Sequence, residues 1–268
     1  MRNRTEELRA LAQQIADALP PVVEEVVLTG SVSRGVADEL SDIEMLVVPT
    51  EQLDLATCFE HARAVGMIEL DTWGAQGTAA CKVFGYRDGV PTELVWWPRA
   101  HAEEALESAA DAIASGVALR TVGLLARWQA KLSVYPDELA ARRIEDAALT
   151  WGGYAPAGML TLAREGERLA LVERLVDDAS RVVKIVYAVN RVWQPTHKRL
   201  AARTAPLPVK PERLTERIEQ ALTETEPRRA MLVMTELQAE TVALAPSGPN
   251  VDRARRWLAE VASVLREA

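Results

Sequence analysis

Histidine and cysteine are nearly missing from this chain, and that removes two kinds of chemistry at once. Its 268 residues hold three histidines and two cysteines, Cys58 and Cys81, with no C-x-x-C spacing. Neither a zinc site, nor a disulfide framework, nor a histidine-based metal centre is expected from so few. Phenylalanine is scarce too, two against seven tryptophans, so tryptophan is expected to build much of the aromatic core. Trp73, Trp96, Trp97, Trp151 and Trp193 carry faces that suit a base or a sugar ring, but packing is the expected role for most of them. No apolar run approaches the roughly 18 residues that a membrane span needs. The N-terminus leads straight into an amphipathic helix with no signal-peptide core, and the expected location is cytoplasmic. Basic residues are few at one end only. Residues 1–98 carry 7 Lys and Arg against 16 Asp and Glu, a net charge of −9, whereas the remainder carries +1. Binding to a nucleic-acid backbone calls for the opposite sign. An acidic wall attracts polycations instead, unless the surplus is plain solvated surface.

What is present falls into two stretches. Up to Pro98, helices and strands interleave. Thr5 is the expected N-cap of a helix over residues 5–19, and Pro20-Pro21 ends it. Val22 to Thr29 reads as a doubly covered strand, Gly30 to Gly35 as a turn opening a short helix, and Asp42 to Val48 as a second strand. A helix over Leu53–Val65 and an extended Met67–Trp73 follow. Ala79–Tyr86 and Val90–Trp97 make a hairpin across Arg87-Asp88-Gly89. Beyond Pro98 only helical spacing remains: His101–Ala114, Leu119–Leu132, Pro136–Thr150, Ala170–Trp193, Pro211–Leu222, Pro227–Leu244 and Val251–Arg266. The expected class is α+β: a small mixed sheet domain over 1–98, then an all-helical domain over 99–268.

The most informative stretch is Thr29-Gly30-Ser31-Val32-Ser33-Arg34-Gly35, followed by Ser41-Asp42-Ile43-Glu44-Met45. Glycine lets a phosphate approach the backbone, and Ser31 offers a hydroxyl. Asp42 and Glu44 alternate along an apolar strand, so both project to one side while Ile43 and Met45 turn to the core. Two carboxylates sharing one space repel unless a cation lies between them, and the donor set suits Mg²⁺. Without a ligand, the same residues read as a strand-to-helix turn with a Ser31 cap and a strand with one wet face.

Gly30-Ser31, ten intervening residues, then Asp42-Ile43-Glu44-Met45 resembles the signature of the polymerase-β-like nucleotidyltransferase superfamily, and within it the kanamycin-type antibiotic nucleotidyltransferases. Thr29 departs mildly, since an aromatic or apolar residue is commoner there. The strong likeness covers residues 26 to 48. It implies a nucleotidyltransferase domain beside a helical substrate-binding domain, with Gly30 and Ser31 on the β and γ phosphates. It further implies metal bound by Asp42 and Glu44, and a third carboxylate on a later strand. Glu93 fits that third position, as a metal ligand or as the base for the acceptor hydroxyl; Glu69 and Asp71 are rivals that read better as a solvated edge. Ser33 and Arg34 are further nucleotide-binding candidates, with Arg34 free to bridge Asp38 or Glu39 instead. In the helical half, Asp177, Arg181 and Lys184 share a helix face. Lys184 is a candidate for the triphosphate and Asp178 for the acceptor base, because Trp151–Leu162, where kanamycin-type enzymes keep a catalytic glutamate, has no acid up to Gly158. The run Ala188–Lys198, with Asn190, Arg191, His197 and Lys198, resembles a segment of bacterial nucleotidyltransferases; its other reading is a ladder of surface ion pairs.

Together these imply an enzyme that moves a nucleoside monophosphate, AMP from ATP, to a hydroxyl of a small molecule. Mg²⁺ would be the cofactor, two ions held by Asp42, Glu44 and Glu93, and an aminoglycoside-like antibiotic the acceptor. The alternatives are a protein- or tRNA-modifying nucleotidyltransferase of antitoxin type, disfavoured by the long helical half, and a non-catalytic nucleotide-binding module. The resemblance leaves room for a homodimer that completes the cleft.

Overall fold

The computed structural model describes residues 3–73, 80–153, 156–164 and 166–267. Ala79, expected in the first arm of the hairpin, and Tyr154 and Ala155 of the Trp151–Leu162 segment lie outside them. The fold is α+β, in two compact units, Met1–Val134 and Tyr135–Ala268.

The first unit opens with α1 (Arg4–Ala18), whose Leu8, Ala12 and Ile15 are buried at helical spacing. Its cap is Asn3, which accepts from the Thr5 amide at 3.1 Å. Thr5, the expected cap, is buried instead, and its hydroxyl accepts from the Ala37 amide at 3.2 Å. Then come β1 (Val23–Leu28), the single-turn α2 (Gly30–Ser33), β2 (Ile43–Pro49), α3 (Leu55–Ala64), β3 (Ile68–Thr72), β4 (Cys81–Arg87) and β5 (Val90–Trp96). The sheet runs β3-β4-β5-β2-β1-β6, the last strand being Val117–Arg120. Among the described residues, only β2 and β5 pair in parallel. Ile43, Met45, Val83 and Leu94 pack with Leu8 and Ile15 of α1 and Cys58 and Ala62 of α3 into one core. The β4–β5 hairpin turns on Asp88 (φ 51°) and Gly89 (φ 76°). Two successive positive φ values are the conformation that matches strand twist, and Arg87 accordingly faces Val90.

Between Pro98 and Val134 the structure departs from an all-helical reading. His101–Ala114 is two short helices, α4 (Arg99–Glu104) and α5 (Ala110–Ala114), and Val117–Arg120 is the strand β6, antiparallel to β1. The expected helix over Leu119–Leu132 starts only at Leu124, as α6 (Leu124–Leu132), after Gly123 at φ 89°. Two side chains hold this segment to the sheet. Glu25, fully buried on β1, accepts from the Val122, Leu124 and Leu125 amides at 2.8, 3.2 and 3.0 Å and from the Thr121 hydroxyl at 2.8 Å, satisfying donors at a helix start that otherwise lack partners. The Arg120 guanidinium donates to the carbonyls of Ala16 in the last turn of α1, of Leu19 and Pro20 just past it, and of Val23 at the start of β1. The division therefore falls at Val134, not at the Pro98 boundary expected from the change in periodicity.

The second unit is helical: α7 (Asp137–Gly153), α8 (Pro156–Leu160), a 3-10 turn at Thr161–Ala163, α9 (Arg168–Val189), α10 (Leu200–Thr204), α11 (Leu214–Thr223), α12 (Pro227–Leu244) and α13 (Pro249–Glu267). Its core joins Trp151, Leu171, Val182, Val186, Met234 and Leu258. Helix α9 ends at Val189, short of the expected Trp193. Asn190 closes it, donating to the Val186 and Val209 carbonyls at 2.7 and 2.6 Å. Among the described residues, no helix is long and apolar enough to cross a membrane.

Candidate functional site

The site is built where β1 turns into α2 beside β2. Gly30 has φ 71°, a left-handed conformation that costs glycine least. A Cβ on Gly30 would overlap the Glu44 carboxylate, so the turn and the acid occupy one space that only glycine permits. Thr29 ties the two chains together, its amide and hydroxyl both donating to the Glu44 carbonyl, at 2.9 and 3.2 Å. Glu44 stands opposite Glu93 in the parallel β2–β5 pair, so the two side chains rise next to each other from one face of the sheet. Ile43 and Thr92, their neighbours in register, are buried on the other face. Asp42, two residues before Glu44, is half-buried and has no hydrogen bond or ion pair among the described residues. Ser31 Oγ is buried and has no hydrogen-bond partner among them either.

The structure gives Ser33 and Arg34 other work than nucleotide binding. The Ser33 hydroxyl donates to the Gly30 carbonyl at 3.1 Å. The Arg34 guanidinium donates to that same carbonyl at 2.6 Å and to Asp111 of α5, also at 2.6 Å. The bridge to Asp38 or Glu39 does not form. Asp38 instead closes a local turn through the Ser41 hydroxyl at 2.9 Å. Arg9 of α1 completes the frame, donating to the Val32 and Ser33 carbonyls at 3.2 and 2.8 Å. The Gly30 turn is therefore gripped from behind by two guanidinium groups, and its front carries Ser31 and the acids.

Lys82 of β4 was not anticipated. Its Nζ lies 2.6 Å from Glu93 Oε2 and 5.7 Å from the centre of the Trp73 ring. Among the described residues, no group of three or more His, Cys, Asp and Glu is gathered so as to hold a metal ion. The expected three-carboxylate set thus does not form: Glu93 has the right strand and register, but an ammonium holds one of its oxygens. Glu69 and Asp71 are exposed on the edge strand β3, as a solvated edge would be.

Asp178 and Lys184 belong to the other unit. Asp178 is 4% exposed, and its Oδ1 accepts from the Trp151 indole at 2.7 Å. The Arg174 Nε reaches both oxygens at 2.9 Å. Burial raises its pKa above the usual aspartate value, against the lowering influence of the Arg174 charge and of these hydrogen bonds. It lines a mainly apolar hollow with Met159, Leu175, Met231 and Met234, which is a structural setting. Lys184 is half-buried and makes no ion pair among the described residues. Asp177 pairs with Arg181 at 2.7 Å and Arg191 with Asp137 at 2.8 Å, while His197 is exposed near Gln194. Trp96 and Trp151 are core residues, and Trp193 packs on Tyr135 at 4.7 Å.

No model of a known protein family and no curated protein matches this chain. Among solved structures, a nucleotidyltransferase-like protein from Exiguobacterium sibiricum aligns with 99% of this chain and 81% of its own, at 13% identity and a TM-score of 0.43. Terminal uridylyl transferase 4 from Trypanosoma brucei, solved with bound dUTP, aligns with 91% of this chain and 67% of its own, at 14% identity and a TM-score of 0.30. Likenesses this distant bear on neither activity nor substrate, which rest on the site itself.

The donor set suits a hard divalent cation. Mg²⁺ is commonly bound through one or two carboxylates together with substrate phosphates, and Asp42 and Glu44 are such a pair. The Ser31 hydroxyl, without a partner among the described residues, and the left-handed Gly30 turn packed against the Glu44 carboxylate suit a phosphate bound beside such an ion.

Proposed function

We propose that this chain is a nucleotidyltransferase that moves a nucleoside monophosphate, from ATP in the first instance, to a hydroxyl of a small molecule. The observation that carries the reading is the space shared by Gly30 and the Glu44 carboxylate, with Glu93 in register beside it. A phosphate-binding turn and an acidic pair have few reasons to be built into one another unless the ligand is both phosphorylated and metal-bound.

Asp42 and Glu44 would hold Mg²⁺, which when bound polarises the α-phosphate and lowers the pKa of an attacking hydroxyl. Ser31 Oγ would donate to a phosphate oxygen, and glycine at position 30 lets the Glu44 carboxylate lie against the turn that would hold the phosphates. Arg9 and Arg34 act by fixing the turn, so that the phosphates meet a surface that needs no rearrangement. Glu93 lies on the same face as the acidic pair and is the group to receive the acceptor's proton. Asp178, fully engaged by Arg174 and Trp151, is left out of the chemistry. An aminoglycoside-like polycation is the proposed acceptor, supported by the net charge of −9 over residues 1–98.

The test is pyrophosphate release with Mg²⁺, each common nucleoside triphosphate and a panel of aminoglycosides and other polyhydroxylated amines. Release that needs both metal and acceptor, and that drops by about 100-fold or more in Asp42→Asn, is the expected result. No release with any acceptor while the nucleotide still binds would make the chain a binding module. Undiminished release in Asp42→Asn would remove the acidic pair from the reaction.

A further inference from the structure

Lys82 is the only lysine before residue 131, and it stands among the acids of the most acidic stretch of the chain. The hairpin register places it there. With Arg87 opposite Val90, the ladder brings Phe84 opposite Glu93 and Lys82 opposite Val95, so Lys82 and Glu93 are diagonal neighbours on one face. The two side chains are 31% and 21% exposed, sheltered enough for a charge-assisted bond at 2.6 Å to be of the strong kind. The Trp73 ring flanks the ammonium within cation–π range. Glu93 in turn adjoins Glu44 in register. A second divalent ion on Glu93 would have to share that carboxylate with the ammonium already on its Oε2 and sit against a positive charge that repels it.

We infer that Lys82 takes the place of a second divalent cation, so that the site binds one metal ion, on Asp42 and Glu44, with the ammonium fixed on Glu93 beside it. This rests on the proposed function and sharpens it. The two-ion arrangement expected from the sequence becomes one ion and one fixed side-chain charge. Lys82 is a positioning residue: it sets where Glu93 points and supplies permanent positive charge where the acceptor hydroxyl would attack.

Counting bound Mn²⁺ by electron paramagnetic resonance, on the full chain with α,β-methylene-ATP, reads this directly and without turnover. The wild type should bind one ion per chain with the analogue, any second being weaker by about tenfold or more. Lys82→Met should bind two of comparable affinity, because Glu93 is released. Lys82→Arg, which keeps the charge, should bind one, and its agreement with the wild type separates loss of charge from damage to the strand. Two ions in the wild type, or one in both wild type and Lys82→Met, overturns the inference. No ion in either protein overturns instead the reading of Asp42 and Glu44 on which it rests, and the pyrophosphate assay would then fail as well.

Discussion

The two units each contain an acidic group in an unusual setting, and the settings are opposite. Glu44 and Glu93 stand half-buried, side by side in register on one face of the sheet, with half-buried Asp42 just before the strand and a glycine whose missing Cβ makes room for the Glu44 carboxylate. Asp178 is enclosed among leucines and methionines, with both oxygens taken by Arg174 and one also by Trp151. Glu25 of the first unit resembles Asp178 in this: it is fully buried, and its carboxylate accepts from α6 and the residues just before it. A carboxylate whose partners are all protein donors is part of the architecture. Asp42 differs from both: among the described residues no protein donor answers its charge.

Substitutions test that contrast. The largest expected effect on stability comes from Asp178→Ala, which leaves the Arg174 charge buried and unpaired. Denaturant unfolding should show a loss of about 3–5 kcal/mol. A variant as stable as the wild type but devoid of pyrophosphate release would move Asp178 into the chemistry and erase the distinction. Glu25→Ala should cost about 2–3 kcal/mol by the same measurement, since several amide donors around the start of α6 lose their acceptor. Asp42→Asn, whose side chain has no partner to lose, should unfold within about 0.5 kcal/mol of the wild type while turnover falls.

The smallest effect is one of pH. Burial raises the Asp178 pKa above its ordinary value of 3.8, so the folded state holds this proton more tightly than the unfolded chain does. The stabilising contribution of the protonated group is complete below about 3.8 and is lost as pH rises through the elevated value. The stability of the wild type relative to Asp178→Asn should therefore decline with rising pH across the range above 4. A flat or rising difference would mean that the Arg174 charge outweighs desolvation.

Much of the first unit was legible in the residues. The strands around the signature, the hairpin on Asp88-Gly89, and the placement of Glu44 on the face it shares with Glu93 follow from period-two alternation and turn chemistry, which are local, although β2 starts at Ile43, one residue after Asp42. Lys82 was legible in principle, because a two-residue turn fixes the register from Arg87 opposite Val90 back to Phe84 opposite Glu93. Counting that ladder one diagonal further reaches Lys82. The run Val117–Arg120 was not legible. Four residues carry too little periodicity to mark a strand, and this one exists because the edge of β1 was open to pair with it. Arg34 misled for a related reason: a guanidinium beside a Gly-Ser turn looks like a ligand group until Asp111, 77 residues away, takes it. Asp178 misled because spacing along α9 reveals its helix face but not that Trp151 and Arg174 close over it.

By itself, then, the sequence determined the α+β class, the glycine turn between β1 and α2 and the alternation along β2, since each depends on residues within a few positions of one another. Only the tertiary structure decided which charged groups are already paired: Arg34 with Asp111, Glu93 with Lys82, Asp178 with Arg174, Glu25 with the start of α6. Whether a charge is available for chemistry depends on what lies within about 4 Å of it: for Arg34 and Glu25 that neighbour comes from a distant part of the chain, and for Glu93 and Asp178 local spacing offers a partner without showing that it is taken.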